Sequence, residues 1–285
     1  MIAITGSSGF ISKNLRSFCS KQKIPTLCLS RKSLKPKHNE ICKTTINYSE
    51  ERLVRYLKNC SAIIHLVGIG KQTNDDSFIH ANTQITKNVI SLCKKAHIPK
   101  MIYLSGLGVS SNNVTDYYIS KYVAEQHIIK SGLDYTIFRP SYIIGKDDEF
   151  TKFLNKQIKK NLIRIPGTGT YRLQPIHISN VVKLLIDSTV SSKFSNITLD
   201  LVGPQIITYT KFVSLFCKFR NKSTPTLKIS LQQAYYTAIR GNGEFRLDDL
   251  HILVGDFIGN HNRLASCSDV KFMTINDILK SSVTL

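Results

Sequence analysis

Ile2-Ala3-Ile4-Thr5-Gly6-Ser7-Ser8-Gly9-Phe10-Ile11-Ser12-Lys13-Asn14-Leu15 decides how this chain is read. Apolar residues run into a turn of small residues, and the turn opens a segment with helical apolar spacing. That is a strand, a loop and a helix, with glycine where the chain must turn. Glycine turns tightly and lets backbone approach a ligand with no Cβ in the way. The helix then starts with unpaired N–H groups and the positive end of its dipole facing the turn, which suits a pyrophosphate. The spacing is Gly-x-x-Gly-x-x-Gly with Ser12 in the third place. The alternative is a plain tight turn. Placement directly after a strand favours the phosphate-binding reading.

Outward from that start, strands and helices alternate. Ile24 to Leu29 reads as a second strand ending at Ser30-Arg31-Lys32. In a dinucleotide fold this point meets the adenosine ribose, where an acid holds the 2′-hydroxyl of NAD and a base favours the 2′-phosphate of NADP. Here there is no acid, and Arg31 and Lys32 tilt the expectation toward NADP; the alternative is an exposed basic turn. Ser49 to Asn59 reads as a helix with Leu53, Tyr56 and Leu57 on one face. Ala62 to Gly68 is a short apolar run, the pattern of a parallel strand buried on both faces. His65 inside it reads as a packed histidine rather than a ligand. Gly68 to Asp76 is polar and reads as a loop, Phe78 to Lys95 as a helix. Met101 to Leu104 is another buried strand, ending in Ser105-Gly106-Leu107-Gly108. This alternation predicts a doubly wound α/β fold with right-handed crossovers. Ligands in such sheets bind at the carboxyl ends of the strands, where Gly6, Arg31, Gly68 and Ser105 all fall.

Asp116 to Glu125 carries the candidate chemistry. Tyr117 and Lys121 are four apart and share a helical face. A phenol with a pKa near 10 is a poor acid or base at neutral pH. A neighbouring ammonium favours the phenolate, and reaching pH 7 takes about 4 kcal/mol of differential stabilisation. The alternative is an amphipathic surface pair. Beyond it, Leu133 to Gly145 reads as a strand, Phe150 to Lys160 as a basic helix and Arg172 to Ile178 as a short strand. Asn180 to Ser188 reads as a helix, Ile197 to Val202 as a strand and Thr208 to Phe219 as a helix. The expected division is a nucleotide-binding domain over 1–145, completed by 174–203, and a smaller substrate lobe from 146–173 and 204–285.

With 285 residues, 42% apolar and 20% charged, the composition is that of a globular chain with a substantial core. No apolar run approaches the roughly 18 residues of a membrane span. The first strand begins at Met1, from which we expect no export signal and a cytoplasmic location. Seven scattered cysteines without a Cys-x-x-Cys pair read as reduced packing thiols, and no metal site is expected. The net charge of +20 is unusual. It is spread along the chain, so a solvated lysine face is the plain reading, with steering of an anionic cofactor or surface as the other. No nucleic-acid recognition motif accompanies it.

Taken in order, these pieces resemble the extended and atypical short-chain dehydrogenase/reductases, the group of nucleotide-sugar epimerases and dehydratases. The matching residues are Thr5-Gly6-x-x-Gly9, His65-Leu66-Val67-Gly68, Asn82, Leu104-Ser105, Tyr117-x-x-Ser120-Lys121-x-x-Ala124-Glu125, Arg139-Pro140-Ser141 to Gly145, and Pro175-Ile176-His177-Ile178. They cover roughly Met1 to Pro204. The Ser105-to-Gly108 turn and its short gap to Tyr117 look most like the atypical branch, which contains the nucleotide-binding accessory subunit of respiratory complex I. Phe245 to Leu250 is a weaker match to that branch's ending.

The resemblance implies a Rossmann-type sheet and an NADP or NAD cofactor. It places Gly6, Ser8, Gly9, Phe10 and Ile11 at the pyrophosphate, and Arg31 and Lys32 at the ribose. Leu66, Val67, Gly68, Asn82 and Lys121 line the cofactor, and Pro140 and Ser141 border the nicotinamide. Tyr117 becomes the acid/base and Lys121 its partner; Ser105, or else Ser110 or Ser111, is the candidate hydroxyl donor, and spacing secures none of the three. Three departures stand out. Ser12 replaces the third glycine. Asn47-Tyr48 stands where an acid is usual near the adenine. Leu107 occupies the usual catalytic Ser/Thr position, and loss of that donor could weaken charge stabilisation by a few kcal/mol. Two functions therefore stand. One is an NAD(P)-dependent oxidoreductase or epimerase acting on a nucleotide sugar or another alcohol or ketone. The other is a non-catalytic NADP-binding subunit or sensor docked on a larger, anionic, membrane-bound complex. A homodimer is a further expectation of the resemblance.

Overall fold

The computed structural model describes residues 1–73, 76–241 and 243–282, with the side chain of Asp248 left aside. Asn74 and Asp75 of the expected polar loop, and Asn242 and 283–285 of the expected lobe, lie outside the described residues. The chain forms two compact units. One comprises Met1–Pro140, Ile178–Leu201 and Asn262–Val270; the other comprises Ser141–His177, Val202–His261 and Lys271 onward.

The first unit is built from β1 (Ile2–Thr5), α1 (Phe10–Lys21), β2 (Thr26–Ser30), β3 (Glu40–Thr44), α2 (Val54–Leu57), β4 (Ala62–His65), α3 (Ile85–Ala96), β5 (Lys100–Leu104), α4 (Asp116–Ile129) and β6 (Asp134–Pro140). The helix Ile178–Val190 and the strand Ile197–Leu201 complete it. Its seven strands are all parallel, in the order Ile197–Leu201, β6, β5, β4, β1, β2, β3. The winding reverses between β1 and β4, which lie side by side with Ile2 opposite Ala62 and Thr5 opposite His65. That reversal is the switch point of a doubly wound sheet. Both of these strands are buried throughout, as continuous apolar runs require. Leu27, Ile63, Val89, Met101, Ala124 and Ile137 form part of the core.

β3 was not visible in the sequence. Its apolar residues Ile41 and Cys42 are adjacent rather than alternating, and Ile41 is exposed at the sheet edge. Pairing with β2 holds it there, together with a buried ion pair to α1. Arg16 donates from Nε to Glu40 Oε1 (3.1 Å) and from Nη2 to Oε2 (2.8 Å). Both side chains are at most 6% exposed. The expected helix from Ser49 to Asn59 shortens to a 3₁₀ turn, Glu51–Leu53, followed by α2. The expected helix from Phe78 opens with a π-helical stretch, Ile79–Gln84, before α3.

The second unit pairs short strands in twos. Ile143–Ile144 runs parallel with Ile176–His177, Arg172–Leu173 antiparallel with Ile207–Thr208, and Ile163–Pro166 parallel with Thr226–Ile229. The single strand expected over Arg172 to Ile178 is thus two. Pro175 between them has no N–H to continue a ladder. Side-chain caps set the helix starts: Asp148 accepts from Thr151 N, Thr208 from Lys211 N, and Thr274 pairs with Asp277 in a capping box. Among the described residues, no helix is long and apolar enough to cross a membrane.

Removing one partner of a buried ion pair strands the other charge, at a cost of about 3–5 kcal/mol. Glu40→Ala is therefore expected to lower unfolding free energy by about 3 kcal/mol in urea titrations, while Arg16→Leu with Glu40→Leu recovers most of it. Equal losses in the single and double variants would contradict this account.

Candidate active site

At the switch point, the turn after β1 presses against the chain leaving β4. Gly6 sits at φ +65°, and a Cβ there would lie 2.9 Å from the Leu66 carbonyl carbon and oxygen. No side chain fits that gap. Gly9 is different: a Cβ there would meet only Gly6 O, at 3.5 Å. The chain's own packing thus does not demand glycine at position 9. Gly9 is the N-cap of α1, whose start carries no side-chain cap. Its free N–H groups, beside half-buried Ser8, Phe10 and Ile11, suit an anion. Ser12 is buried and donates to Gly6 O (2.8 Å), so the third small residue staples the turn. Tyr48 does the same from the other side, its buried hydroxyl accepting from Gly6 N (3.2 Å). The sequence reading placed Tyr48 near the adenine but missed this role.

The exit of β4 leads to the second group of site residues. Gly68 leaves room for Lys121 Nζ and Asn82 Oδ1, which a Cβ would meet at 2.8 and 2.9 Å. Asn82, in the π-helical stretch, accepts from Ile69 N (2.9 Å) and donates to Ser120 Oγ (3.0 Å). It ties the loop after β4 to α4. Lys121 donates to Leu104 O (3.1 Å) and lies over the Tyr103 ring. Burial pushes its pKa down to about 8, with Glu125 opposing. Tyr117 Oη faces Gly106, where a Cβ would meet it at 2.9 Å. Its ring packs edge-on against Phe78 and Tyr118. Burial, and then Tyr118, push the phenol pKa up. In this structure the lysine turned toward Leu104 does not offset that shift.

Ser105 is buried, and its Oγ has no hydrogen-bond partner among the described residues. Leu107 is buried too, and its N–H donates to Pro140 O (3.0 Å), so the usual Ser/Thr position is closed by an apolar side chain. Ser141 falls in the second unit, where its hydroxyl donates to Phe257 O (3.3 Å). At the end of β2, Lys32 is exposed. Arg31 Nη1 meets Asp76 Oδ2 at 2.5 Å, and His80 Nδ1 meets Asp76 Oδ1 at 2.8 Å. Burial disfavours the Asp76 carboxylate, but hydrogen bonds from Arg31 and His80 outweigh it and hold the pKa low. Asp76 and His80 carried no signal in the sequence, since only the fold brings them to Arg31.

His65 is a packed histidine inside a continuous relay. Leu66 N donates to Thr5 Oγ1 (3.3 Å), whose hydroxyl donates to His65 Nδ1 (2.7 Å). His65 Nε2 donates to Thr86 Oγ1 (3.0 Å), whose hydroxyl donates to Asn82 O (2.6 Å). This network assigns the neutral Nε2–H tautomer. Burial, and then Lys121, push the His65 pKa down to about 3.

A parallel sheet with a glycine turn and an uncapped helix at its switch point defines a nucleotide-binding doubly wound fold. Within that class the chain belongs to the NAD dependent epimerase/dehydratase family, whose model matches residues 2–188. NADH dehydrogenase (ubiquinone) 1 alpha subcomplex subunit 9, mitochondrial, of Arabidopsis thaliana is 26% identical over 163 residues, 56% of this chain and 40% of that protein. The match therefore spans less than half of that relative. UDP-glucose 4-epimerase from Thermotoga maritima, solved with UDP-glucose, shares the fold at a TM-score of 0.76 and 15% identity, over 99% of this chain and 97% of that one. UDP-glucuronic acid 4-epimerase from Bacillus cereus, solved with UDP-glucuronic acid and NAD, does so at 0.74 and 15%, over 99% and 98%.

Two outcomes follow from this geometry. Gly6→Ala combines a left-handed φ with backbone overlap and should cost more than about 1 kcal/mol of stability, whereas Gly9→Ala should change it by less than about 0.5. Thermal and urea unfolding of both variants checks this. His65 stays neutral in the folded chain down to about pH 3, while the unfolded chain protonates it below about 6.5. Its contribution is therefore complete above 6.5 and is lost as pH falls, by about 1.4 kcal/mol per unit. Between pH 6.5 and 5 the native chain should lose about 2 kcal/mol more than His65→Gln does; parallel slopes would refute this.

Proposed function

We propose that this chain is an NAD(P)-dependent oxidoreductase or epimerase of the short-chain dehydrogenase type, acting on a nucleotide sugar or another alcohol or ketone. The observation that carries the reading is one sheet edge gathering the Gly6 turn, the uncapped α1, Gly68 with Lys121 and Asn82, and Tyr117. The residues fit a dinucleotide. Gly9 is glycine where the chain's own packing does not require it, and α1 starts there with no side-chain cap, which suits a phosphate. The bound nicotinamide supplies hydride acceptance and return. Tyr117 Oη moves the substrate hydroxyl proton. An ammonium has three donors, and Leu104 O takes one from Lys121, leaving two for ribose hydroxyls. Ser105 Oγ, buried and without a partner among the described residues, would serve on this reading as the donor in place of Leu107. Arg31 and Lys32, with no acid beside them in sequence, favour NADP over NAD.

A second reading is a non-catalytic dinucleotide-binding subunit. Buried Leu107 favours it, as does the likeness to the Arabidopsis subunit. On this reading the +20 charge serves docking to an anionic assembly, and co-isolation with membranes is lost at high salt.

Titration with NADH and NADPH, followed by turnover of a nucleotide-sugar panel, separates the two. For an enzyme, Tyr117→Phe should keep cofactor affinity and lose turnover by about 100-fold or more. Tight binding with no turnover in the native chain selects the subunit reading, and binding of neither dinucleotide overturns both.

A further inference from the structure

We propose that Asp76 sets the chain's discrimination between phosphorylated and unphosphorylated ribose, by competing with a ligand phosphate for Arg31. The inference rests on the dinucleotide reading above. Arg31 directly follows β2, and Leu29 O within that strand accepts from Ser7 N (3.2 Å) in the glycine turn. Arg31 therefore stands one step from the turn assigned to the pyrophosphate. Its side chain is 54% exposed and reachable from solvent, yet Nη1 is already spent on Asp76 Oδ2 at 2.5 Å. Asp76 comes from the segment between β4 and α3, and its carboxylate is only 8% exposed. Thr73 Oγ1 accepts from Asp76 N (3.1 Å), and His80 Nδ1 binds its other oxygen. Asp76 thus has two further contacts to hold it, and the guanidinium is the more exposed partner.

A phosphate dianion approaching Arg31 has two routes. It displaces Asp76, losing that ion pair, or it joins Asp76 on the same guanidinium and meets a like charge. Either way Asp76 weakens phosphate binding and leaves the unphosphorylated ribose untouched. Sequence spacing shows a basic turn without an acid; the fold supplies the acid from elsewhere in the chain. The chain thus binds NADPH less tightly than Arg31 and Lys32 alone would dictate.

The experiment is a double-mutant cycle in the 285-residue chain, with affinities for NADPH and NADH read from nicotinamide fluorescence. Asp76→Asn keeps the shape and removes the charge. It should tighten NADPH by about three- to fivefold and leave NADH within about twofold, the scale of a partly exposed ion pair. In the Arg31→Ala background the same substitution should bring no gain. A gain that persists without Arg31, equal shifts for both dinucleotides, or no shift at all overturns the proposal. Loss of both dinucleotides in Asp76→Asn also overturns it, because Asp76 then holds the site together rather than discriminating. Failure of the native chain to bind either dinucleotide is a separate outcome, and it removes the functional reading beneath the proposal.

Discussion

The approach of Gly6 to the Leu66 backbone is the constraint on which the site depends. Backbone hydrogen bonds set the spacing of paired strands, with side chains pointing to the two faces, but at their carboxyl ends β1 and β4 must diverge in opposite winding directions. The chain leaving β1 turns at once toward α1, and the chain leaving β4 passes directly behind it. Only a residue without Cβ permits both paths, and φ +65° at Gly6 excludes other residues on a second, independent ground. Ser12 and Tyr48 then fix the turn by hydrogen bonds to its carbonyl and amide. Those bonds satisfy the turn's own polar groups, and α1 then starts at Gly9 with no side-chain cap.

Behind that turn, the His65 relay carries order from β1 to α4. Thr5 and His65 face each other across the two strands, and Thr86 hands the network to Asn82. Asn82 in turn holds Ile69 and Ser120. A buried polar chain of this kind is favourable only when each member is paired. Each hydroxyl here both donates and accepts, and the histidine does so through its two nitrogens. The π-helical turns at Ile79–Gln84 belong to the same arrangement, since they present the Asn82 side chain to the β4 loop and its carbonyl to Thr86.

What the sequence disclosed follows from how local each signal is. β1, α1, β4 and β5 were legible because continuous apolar runs and helical spacing are properties of neighbouring residues. β3 was not, because its stability comes from β2 and from Arg16, more than twenty residues away. The division at Pro175 was overlooked because the apolar pattern passes through it. Among the site residues, Gly6 and its turn could be read from spacing. The Tyr48 support, the His65 relay and the Arg31–Asp76 pair could not, since each joins segments far apart in the chain. Leu107 was legible as a departure, but only the structure shows its backbone N–H bonded to Pro140 and Ser105 Oγ left unpaired among the described residues.

Tyr117 and Lys121 share one electrostatic problem. Burial disfavours the charged form of each, raising the phenol pKa and bringing the ammonium down to about 8. The site alone therefore holds a neutral phenol, a poor base at neutral pH. A positive charge brought beside the phenol by a ligand shifts the balance toward phenolate. With its pKa near 8, Lys121 is already mostly charged at neutral pH, and ribose hydroxyls offered to it as acceptors would favour that form further. On the proposed reading, proton transfer at Tyr117 would wait on occupation of the dinucleotide site, because a positive charge beside the phenol would arrive with the cofactor. The same dependence explains how a chain with this site could keep its cofactor grip while losing turnover. On the proposed reading binding would use Gly6, Asn82 and Lys121, whereas catalysis would further need a hydroxyl donor that Leu107 does not supply.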